Sequence, residues 1–333
     1  MAATIKMVAN RAGVSVATVS KYLNGGNVYE ENAIKIQQAV DELDYKINDV
    51  ARNLRTKKSY TVGVIASTIR SSFIAEIIST LQCALVKQGY STIIMDYQTD
   101  KDLEVKQLDV LLKKKVDGIV LFPVRDESDI IHTIQKEGIP VVTVDNCIEG
   151  VECDSVVSNN RKAVYRAVNK LIELNHKRIG IITGPLDMYT AKERYDGYTD
   201  ALRENGIEID KDLIVTNKYD VESGYNGTKK LLSLENRPTA IITSNYNTSV
   251  GSLKALYEEG IEFPRDISFI SVDEVECSCI LGKPVSSINQ DRAGIGEATA
   301  EIIVDRINGN KEDFPKQICI KAELDLKNSI RNL

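Results

Sequence analysis

From Tyr60 onward, short runs of β-branched residues alternate with longer helical segments, and this rhythm constrains the fold more than any other feature of the chain. The runs TVGVIA, STIIM, DGIVLF and PVVTVD are separated by segments such as FIAEIISTLQCALVKQ and LEVKQLDVLLKK. After VVSNNRKAVYRAVNKLIELNHK the rhythm restarts with RIGIIT, DLIVT, TAIIT and DISFISV. Strands and helices that alternate in this way form parallel sheets covered by helices. The sequence therefore predicts two α/β halves, whose ligands collect at the carboxyl ends of the strands.

Motifs that carry catalysis are missing from the sequence. It contains no G-x-x-x-x-G-K-[ST], no complete G-x-G-x-x-G after a strand, no G-x-S-x-G and no H-E-x-x-H. His132 and His176 are the two histidines, so histidine-based acid/base or metal chemistry has few candidates. The six cysteines lack C-x-x-C spacing, which favours free thiols over disulfides or zinc. We therefore expect neither an enzyme nor a bound cofactor or metal.

Charge is distributed unevenly along the chain. The first 60 residues hold nine Lys/Arg and six Asp/Glu, whereas the whole chain has a net charge of −6. A basic N-terminal part suits a segment that meets phosphate, although a small domain can also acquire such an excess by chance. The stretch MAATIKMVANRAG lacks the apolar region of a signal peptide, and no run of about 18 apolar residues occurs. We expect no membrane contact and a cytoplasmic, nucleoid-associated location.

The N-terminal residues carry two short helical signals across one turn. Thr4 can cap a first helix, and Gly13 suits the C-terminus of that helix. Ser15 can cap a second helix that turns Val19 inward. Two helices joined by a glycine-containing turn form a helix-turn-helix. A third helix, expected from about Glu31 to Leu43, would complete a small three-helix core.

The stretch INDVARNLRTKKSYTVGVI follows these helices and predicts a short, basic, amphipathic helix before the first strand. Asn48 is a plausible N-cap, and Val50 and Leu54 lie four residues apart on one face. A helix this short is marginal on its own. It is either an ordinary charged linker or a hinge that orders on DNA, with basic residues on phosphates and an apolar wedge at a base step.

These segments resemble the lactose/galactose repressor (LacI/GalR) family of bacterial transcription regulators over essentially the whole chain. The resemblance implies a helix-turn-helix head with a hinge helix, followed by a type I periplasmic-binding-protein-like core. The implied boundaries are a head at 1–46, a hinge and linker at 47–59 and a core at 60–333. Within the core, one subdomain comprises about 60–159 and 290–320, and the other about 160–289 and 321–333.

The resemblance also implies which residues contact DNA. Val16, Ala17 and Lys21 occupy base-reading positions, and lysine can reach guanine O6 and N7. Leu54 occupies the position of the hinge side chain that enters the minor groove. The full expected set is Thr4, Ser15, Val16, Ala17, Thr18, Ser20, Lys21, Asn24, Asn48, Ala51, Arg52, Leu54, Arg55 and Lys57.

Candidate ligand-binding residues follow the predicted strands of the core. Arg194 lies at the start of a helix after RIGIIT, where a guanidinium could bind vicinal hydroxyls or a carboxylate. Asp145 and Asp273 each close a hydrophobic strand, and Tyr219 offers a ring for stacking. An aromatic ring with a few convergent polar groups is typical of small-molecule sites. The full expected set is Phe73, Asp145, Thr190, Arg194, Tyr219, Asn245 and Asp273.

Departures from the family pattern leave the effector open. Arg70, Ser71 and Ser72 stand where Asn-Pro is frequent, and Tyr246 and Asn159 each replace a common Asp. A sugar or sugar phosphate is favoured, with a nucleobase or a phosphoprotein co-regulator as alternatives. The chain stops at LDLKNSIRNL without a heptad extension, which favours a homodimer. The expected function is a ligand-responsive repressor of a palindromic DNA operator; the rival is a small-molecule binding protein or α/β enzyme.

Overall fold

The computed structural model describes residues 3–23, 26–45, 58–124, 128–280 and 282–333. The chain divides into two compact units, and the boundary lies between Ser59 and Tyr60. The predicted hinge helix lies outside the described residues, and so do these expected DNA contacts: Asn24, Asn48, Ala51, Arg52, Leu54, Arg55 and Lys57.

The N-terminal unit contains the helices α1 (Ile5–Ala12), α2 (Val16–Leu23) and α3 (Glu30–Glu42). The Thr4 side chain accepts a hydrogen bond from the Met7 amide at 3.4 Å, and Gly13 ends α1 at a φ of 67°. The small core is formed by Val8, Val19 and Ile36, which are fully buried, together with their neighbours. The third helix begins and ends one residue earlier than its spacing predicted.

The first half of the core unit is a six-stranded sheet with the strand order β11-β5-β4-β3-β1-β2, and every described pair in it is parallel. Hydrophobic side chains pack against both faces of this sheet, which explains why its central strands are apolar along their whole length. Its strands are β1 (Thr61–Ala66), β2 (Ser91–Asp96), β3 (Gly118–Leu121), β4 (Val141–Val144), β5 (Asp154–Ser158) and β11 (Gln317–Ile320). Its helices are α4 (Ser72–Lys87), α5 (Lys101–Lys114), α6 (Ser128–Lys136) and α12 (Arg292–Ile307).

The second half repeats this plan with the strand order β12-β10-β9-β8-β6-β7. All described pairs are parallel except the edge pair β10 and β12. Its strands are β6 (Ile179–Thr183), β7 (Ile214–Thr216), β8 (Ala240–Thr243), β9 (Ser268–Val272), β10 (Ser286–Asn289) and β12 (Glu323–Asp325). Its helices are α7 (Asn160–Glu173), α8 (Tyr189–Glu204), α9 (Val221–Leu232), α10 (Tyr246–Glu258) and α11 (Glu276–Ile280), and a single 3-10 turn spans Lys211–Leu213.

Three chain crossings join the two halves. The chain passes from β5 to α7, from β10 to α12 and from β11 to β12. At these crossings the Asn159 amide donates to the Ile320 carbonyl at 3.0 Å, and the Ala322 amide donates to the Asn159 side chain at 2.8 Å. The first and third crossings are therefore hydrogen-bonded to each other.

Three further properties bear on the expected chemistry. Among the described residues, no group of His, Cys, Asp and Glu side chains is arranged to hold a metal ion. No described helix combines the length and apolar character needed to span a bilayer. The thiols of Cys83, Cys147, Cys153, Cys279 and Cys319 are free.

Candidate functional site

The second helix of the N-terminal unit turns a distinct face to solvent. Its inward residue Val19 is fully buried, whereas Val16 is 41% exposed and Ala17 and Lys21 are also exposed. Ser15 caps the helix, because its Oγ accepts a hydrogen bond from the Thr18 amide at 3.1 Å. Capping and burial therefore fix α2 so that the residues expected to read bases face outward.

A shallow concavity extends this outward face beyond α2 into the following loop. Gly26 ties the loop to the helix, since its amide donates to the Lys21 carbonyl at 2.8 Å. Periodicity could not place the loop residues, because a connection between helices has no repeat. The concavity is lined by Ala17, Thr18, Lys21, Asn27, Val28, Tyr29 and Asn32.

The main cavity of interest in the core unit has a volume of about 420 Å³ and lies between the two halves. Loops from the carboxyl ends of strands in both sheets line it. It includes the points where each strand order reverses, between β1 and β3 and between β6 and β8, which is where open α/β sheets bind ligands. The structure brings all seven expected effector-binding residues to this cavity: Phe73, Asp145, Thr190, Arg194, Tyr219, Asn245 and Asp273.

Two aspartates occupy matching places in the two halves. Asp145 follows β4 and Asp273 follows β9, and both adopt left-handed backbone conformations, with φ values of 71° and 68°. The strand ends hold them there, because the Asp145 amide donates to the Val156 carbonyl and the Asp273 amide to the Ile288 carbonyl. Aspartate tolerates this conformation better than most residues. Both carboxylates therefore project from fixed backbone positions at the cavity.

The environments of the two carboxylates differ. Burial raises the pKa of Asp145 to about 6; the nearby Arg194 guanidinium opposes this shift, and the charge of Asp273 adds to it. One carboxylate oxygen of Asp145 is buried without a hydrogen-bond partner. Asp273 accepts a hydrogen bond from Gln290 Nε2 at 3.1 Å and lies 3.7 Å from the Arg292 guanidinium. Asp145 is thus the less compensated of the two.

Arg194 lies at the cavity, and hydrogen bonds within the protein hold its side chain there. It lies in the second turn of α8, not at the helix start that its sequence context predicted. Only 4% of its surface is exposed, and its Nε donates to Asn160 Oδ1 at 2.8 Å while a terminal nitrogen donates to the Ser244 carbonyl at 2.5 Å. Asn160 begins α7 immediately after the first crossing. Arg194 therefore links the cavity to that crossing.

Two other residues that are expected to bind the effector, Asn245 and Tyr219, also make contacts within the protein. The Asn245 side chain caps α10, since its Oδ1 accepts a hydrogen bond from the Thr248 amide at 2.8 Å. Its Nδ2 donates to the Tyr219 carbonyl at 3.4 Å. The Tyr219 ring packs against Gly184, where a Cβ would lie 2.5 Å from the ring, and its hydroxyl is buried without a partner. Asn245 thus shapes the wall, while Tyr219 presents a free polar atom.

Sequence reasoning missed several cavity residues, chiefly Asn146, Gln290 and Arg292. Asn146 Oδ1 and Gln290 Oε1 are buried acceptors without partners. Arg292 donates to Glu76 at 2.8 Å, and its guanidinium lies 5.9 Å from the centre of the Phe73 ring. Asn146 follows Asp145, so the rule that selected Asp145 could have found it.

Comparison with known proteins decides the family. The family model described as bacterial regulatory proteins of the lacI family matches residues 4–48. The model described as periplasmic binding proteins and the sugar binding domain of the LacI family matches residues 59–328. The chain belongs to the LacI family. This LacI-family protein is therefore a DNA-binding transcription regulator and not an enzyme, as its sequence predicted.

Curated relatives match the LacI-family chain over nearly its full length. The HTH-type transcriptional repressor PurR of Actinobacillus pleuropneumoniae serotype 3 (strain JL03) is 32% identical over 333 residues, which cover 99% of each chain. The ribose operon repressor of Haemophilus influenzae (strain ATCC 51907 / DSM 11121 / KW20 / Rd) is 31% identical over 334 residues, with the same coverage. The family's expected architecture thus extends across both units.

Solved structures share the LacI-family fold. A complex of the transcriptional regulator CelR with cellobiose has a TM-score of 0.76 and 26% identity, and the match covers 98% of this chain and 99% of that one. The Lac repressor dimer bound to operator and the anti-inducer ONPF has a TM-score of 0.85 and 22% identity, covering 99% and 100%. These similarities support the predicted fold class, a helix-turn-helix head followed by a two-sheet core.

Proposed function

We propose that this regulator is a cytoplasmic repressor that binds a near-palindromic operator as a homodimer and responds to a small molecule in the cleft. Residues 1–46 read DNA, 47–59 form the hinge, and 60–333 bind the effector and dimerise. A two-fold dimer presents two copies of α2 related by symmetry, so each half-site is read in the major groove. The outward face of Val16, Ala17 and Lys21 supports this docking.

The effector is a polyhydroxylated molecule, with a sugar favoured. The observation that carries this proposal is the convergence of acceptors without partners at one cavity: Asp145 Oδ1, Asn146 Oδ1 and Gln290 Oε1. Buried acceptors are costly unless a donor reaches them, and adjacent sugar hydroxyls supply several donors at once. Arg194 and Tyr219 add donors for the ring and hydroxyl oxygens of the same ligand.

Ligand binding is coupled to DNA through the crossings. Gln290 lies on the crossing between β10 and α12, and Arg194 is bonded to Asn160 beside the crossing between β5 and α7. A ligand that bonds to both sets of groups favours one relative orientation of the two halves. A ligand shifts such an equilibrium only by its difference in affinity for the two orientations.

The test combines operator selection with a ligand panel. An operator selected from random DNA is titrated with full-length protein by fluorescence anisotropy, with sugars, sugar phosphates and nucleobases added in turn. We expect a sugar to change operator affinity in the wild type but not in Arg194→Ala. Arg203→Ala is the matched control, because Arg203 lies on the same helix, exposed and near Asp200. A response to nucleobases alone would contradict the sugar assignment, and failure to select any operator would contradict the repressor function.

A further inference from the structure

Tyr29 occupies a position where the fold of the head favours a different residue. It is the N-cap of α3, and its side chain makes no capping hydrogen bond. Ser, Thr, Asp and Asn are preferred at such positions because their side chains accept a hydrogen bond from the first helical turn. Tyr29 is also 85% exposed, so it gains little from packing. Within the head alone, this tyrosine costs stability and supplies neither a cap nor core packing.

The placement of Tyr29 suggests why it is there. It lines the same concavity as Ala17 and Lys21 of the outward face of α2. The loop is held close to α2, since Gly26 has no space for a side chain: a Cβ there would lie 2.7 Å from Lys21 Cγ. Tyr29 therefore lies beside the residues of α2 that are expected to read bases, on a loop whose position is fixed by its contacts with α2.

We propose that Tyr29 contacts the sugar–phosphate backbone of the operator and fixes the register of α2 in the major groove; this rests on the DNA-binding function proposed above. A tyrosine hydroxyl donates well to a phosphate oxygen, and contacts of this kind position a protein without reading sequence. An uncharged donor on a long, rigid side chain suits the place, because Glu30 and Glu31 follow it and their charges repel a closer phosphate.

The decisive experiment exploits the conflict between folding and binding at this position. In the full-length protein, Tyr29→Ser should supply the missing cap and slow amide exchange in α3 by roughly fivefold, as a restored N-cap stabilises a helix. The same variant should bind the selected operator about tenfold more weakly, because a hydrogen bond to a charged group is lost. Tyr29→Phe should also weaken binding about tenfold without slowing exchange, since it lacks only the hydroxyl.

Sequence preference and salt dependence identify the kind of contact. Both Tyr29 variants should keep the wild-type base preferences and the wild-type slope of log affinity against log salt, because a neutral side chain releases no counterion. Ile34→Ser is the matched control, since Ile34 is 55% exposed on α3 and does not line the concavity; it should bind like the wild type.

Three outcomes would overturn the proposal while leaving the DNA-binding function intact. In the first, both Tyr29 variants bind the operator with wild-type affinity. In the second, Tyr29→Phe changes the base preferences. In the third, the operator affinity of Tyr29→Ser rises together with the stability of α3. If the wild type itself selects no operator, the DNA-binding function fails first, and the Tyr29 variants are not needed to show it.

Discussion

Removing the charge of Asp145 is predicted to stabilise the core while weakening effector binding. The substitution is Asp145→Asn, which suits the left-handed backbone conformation at this position because asparagine also tolerates it. The charged form is disfavoured in the folded protein, since burial raises the pKa of Asp145 from 3.8 to about 6. The unpartnered carboxylate oxygen is, however, an acceptor that a ligand hydroxyl would use.

The sign and size of the expected change in stability follow from the difference between the folded and unfolded pKa values of Asp145. Below about pH 4 both states are protonated and the carboxyl group costs the fold nothing. Between about pH 4 and 6 the unfolded state ionises while the folded state keeps its proton, so the penalty grows. Above pH 6 the folded state carries the buried charge and the penalty stays at about 2–3 kcal/mol. Asp145→Asn should therefore raise the Tm of the unliganded core by roughly 4–10 °C at pH 7.5 and leave it nearly unchanged at pH 4.

Calorimetric melting of the full-length protein at both pH values checks this prediction. Asp273→Asn is the matched contrast, because Asp273 has the same backbone conformation but accepts from Gln290 and lies near Arg292. It should lower the core Tm, since removing its charge leaves the guanidinium less compensated. The reasoning is refuted if Asp145→Asn lowers the Tm at pH 7.5, or if its Tm gain is the same at both pH values.

Three further substitutions test the head, the hinge and the packing of the core. Lys21→Ala should cost about 1–3 kcal/mol of discrimination at one guanine in each half-site, and selection from random DNA that returns unchanged preferences would contradict the docking. Leu54→Ala should reduce the operator bend in circular-permutation gel shifts, and a wild-type bend would exclude a wedge. Gly251→Ala should destabilise the core by about 2–3 kcal/mol, because its Cβ would lie 2.0 Å from the Val221 carbonyl oxygen; chemical denaturation within 0.5 kcal/mol of wild type would contradict this.

Sequence patterns predicted the parts of the fold in which local signals agree. The head combines caps at Thr4 and Ser15 with a left-handed glycine at position 13, and each of these local features appears in the structure. Strands buried on both faces carry long apolar runs, so β1 and β6 were recognisable from their side chains alone. Cavity residues that directly follow such strands, including Asp145 and Asp273, could be chosen by the same reasoning.

The strand β10 shows why other parts of the fold and of the cavity could not be predicted from the sequence. Its sequence SSIN lacks an apolar run, although it is nearly all buried. Ser286 is tolerated there because tertiary hydrogen bonds satisfy it: its amide donates to Ser329 Oγ at 2.7 Å, and its Oγ accepts from the Lys327 amide at 2.8 Å. These partners lie about 40 residues away in sequence. Without the strand, Gln290 had no strand end to mark it as a cavity residue.

The position of the last two strands has a consequence for synthesis of the protein. The head is complete once the first 59 residues have left the ribosome, because its core uses no later residue. Neither sheet has all its strands until residues 317–325 emerge, since β11 and β12 each supply one edge. A premature stop codon before position 317 would therefore yield a polypeptide with an intact DNA-reading head and two unfinished sheets, so DNA reading and ligand response exist in the same molecule only after residues 317–325 have been made.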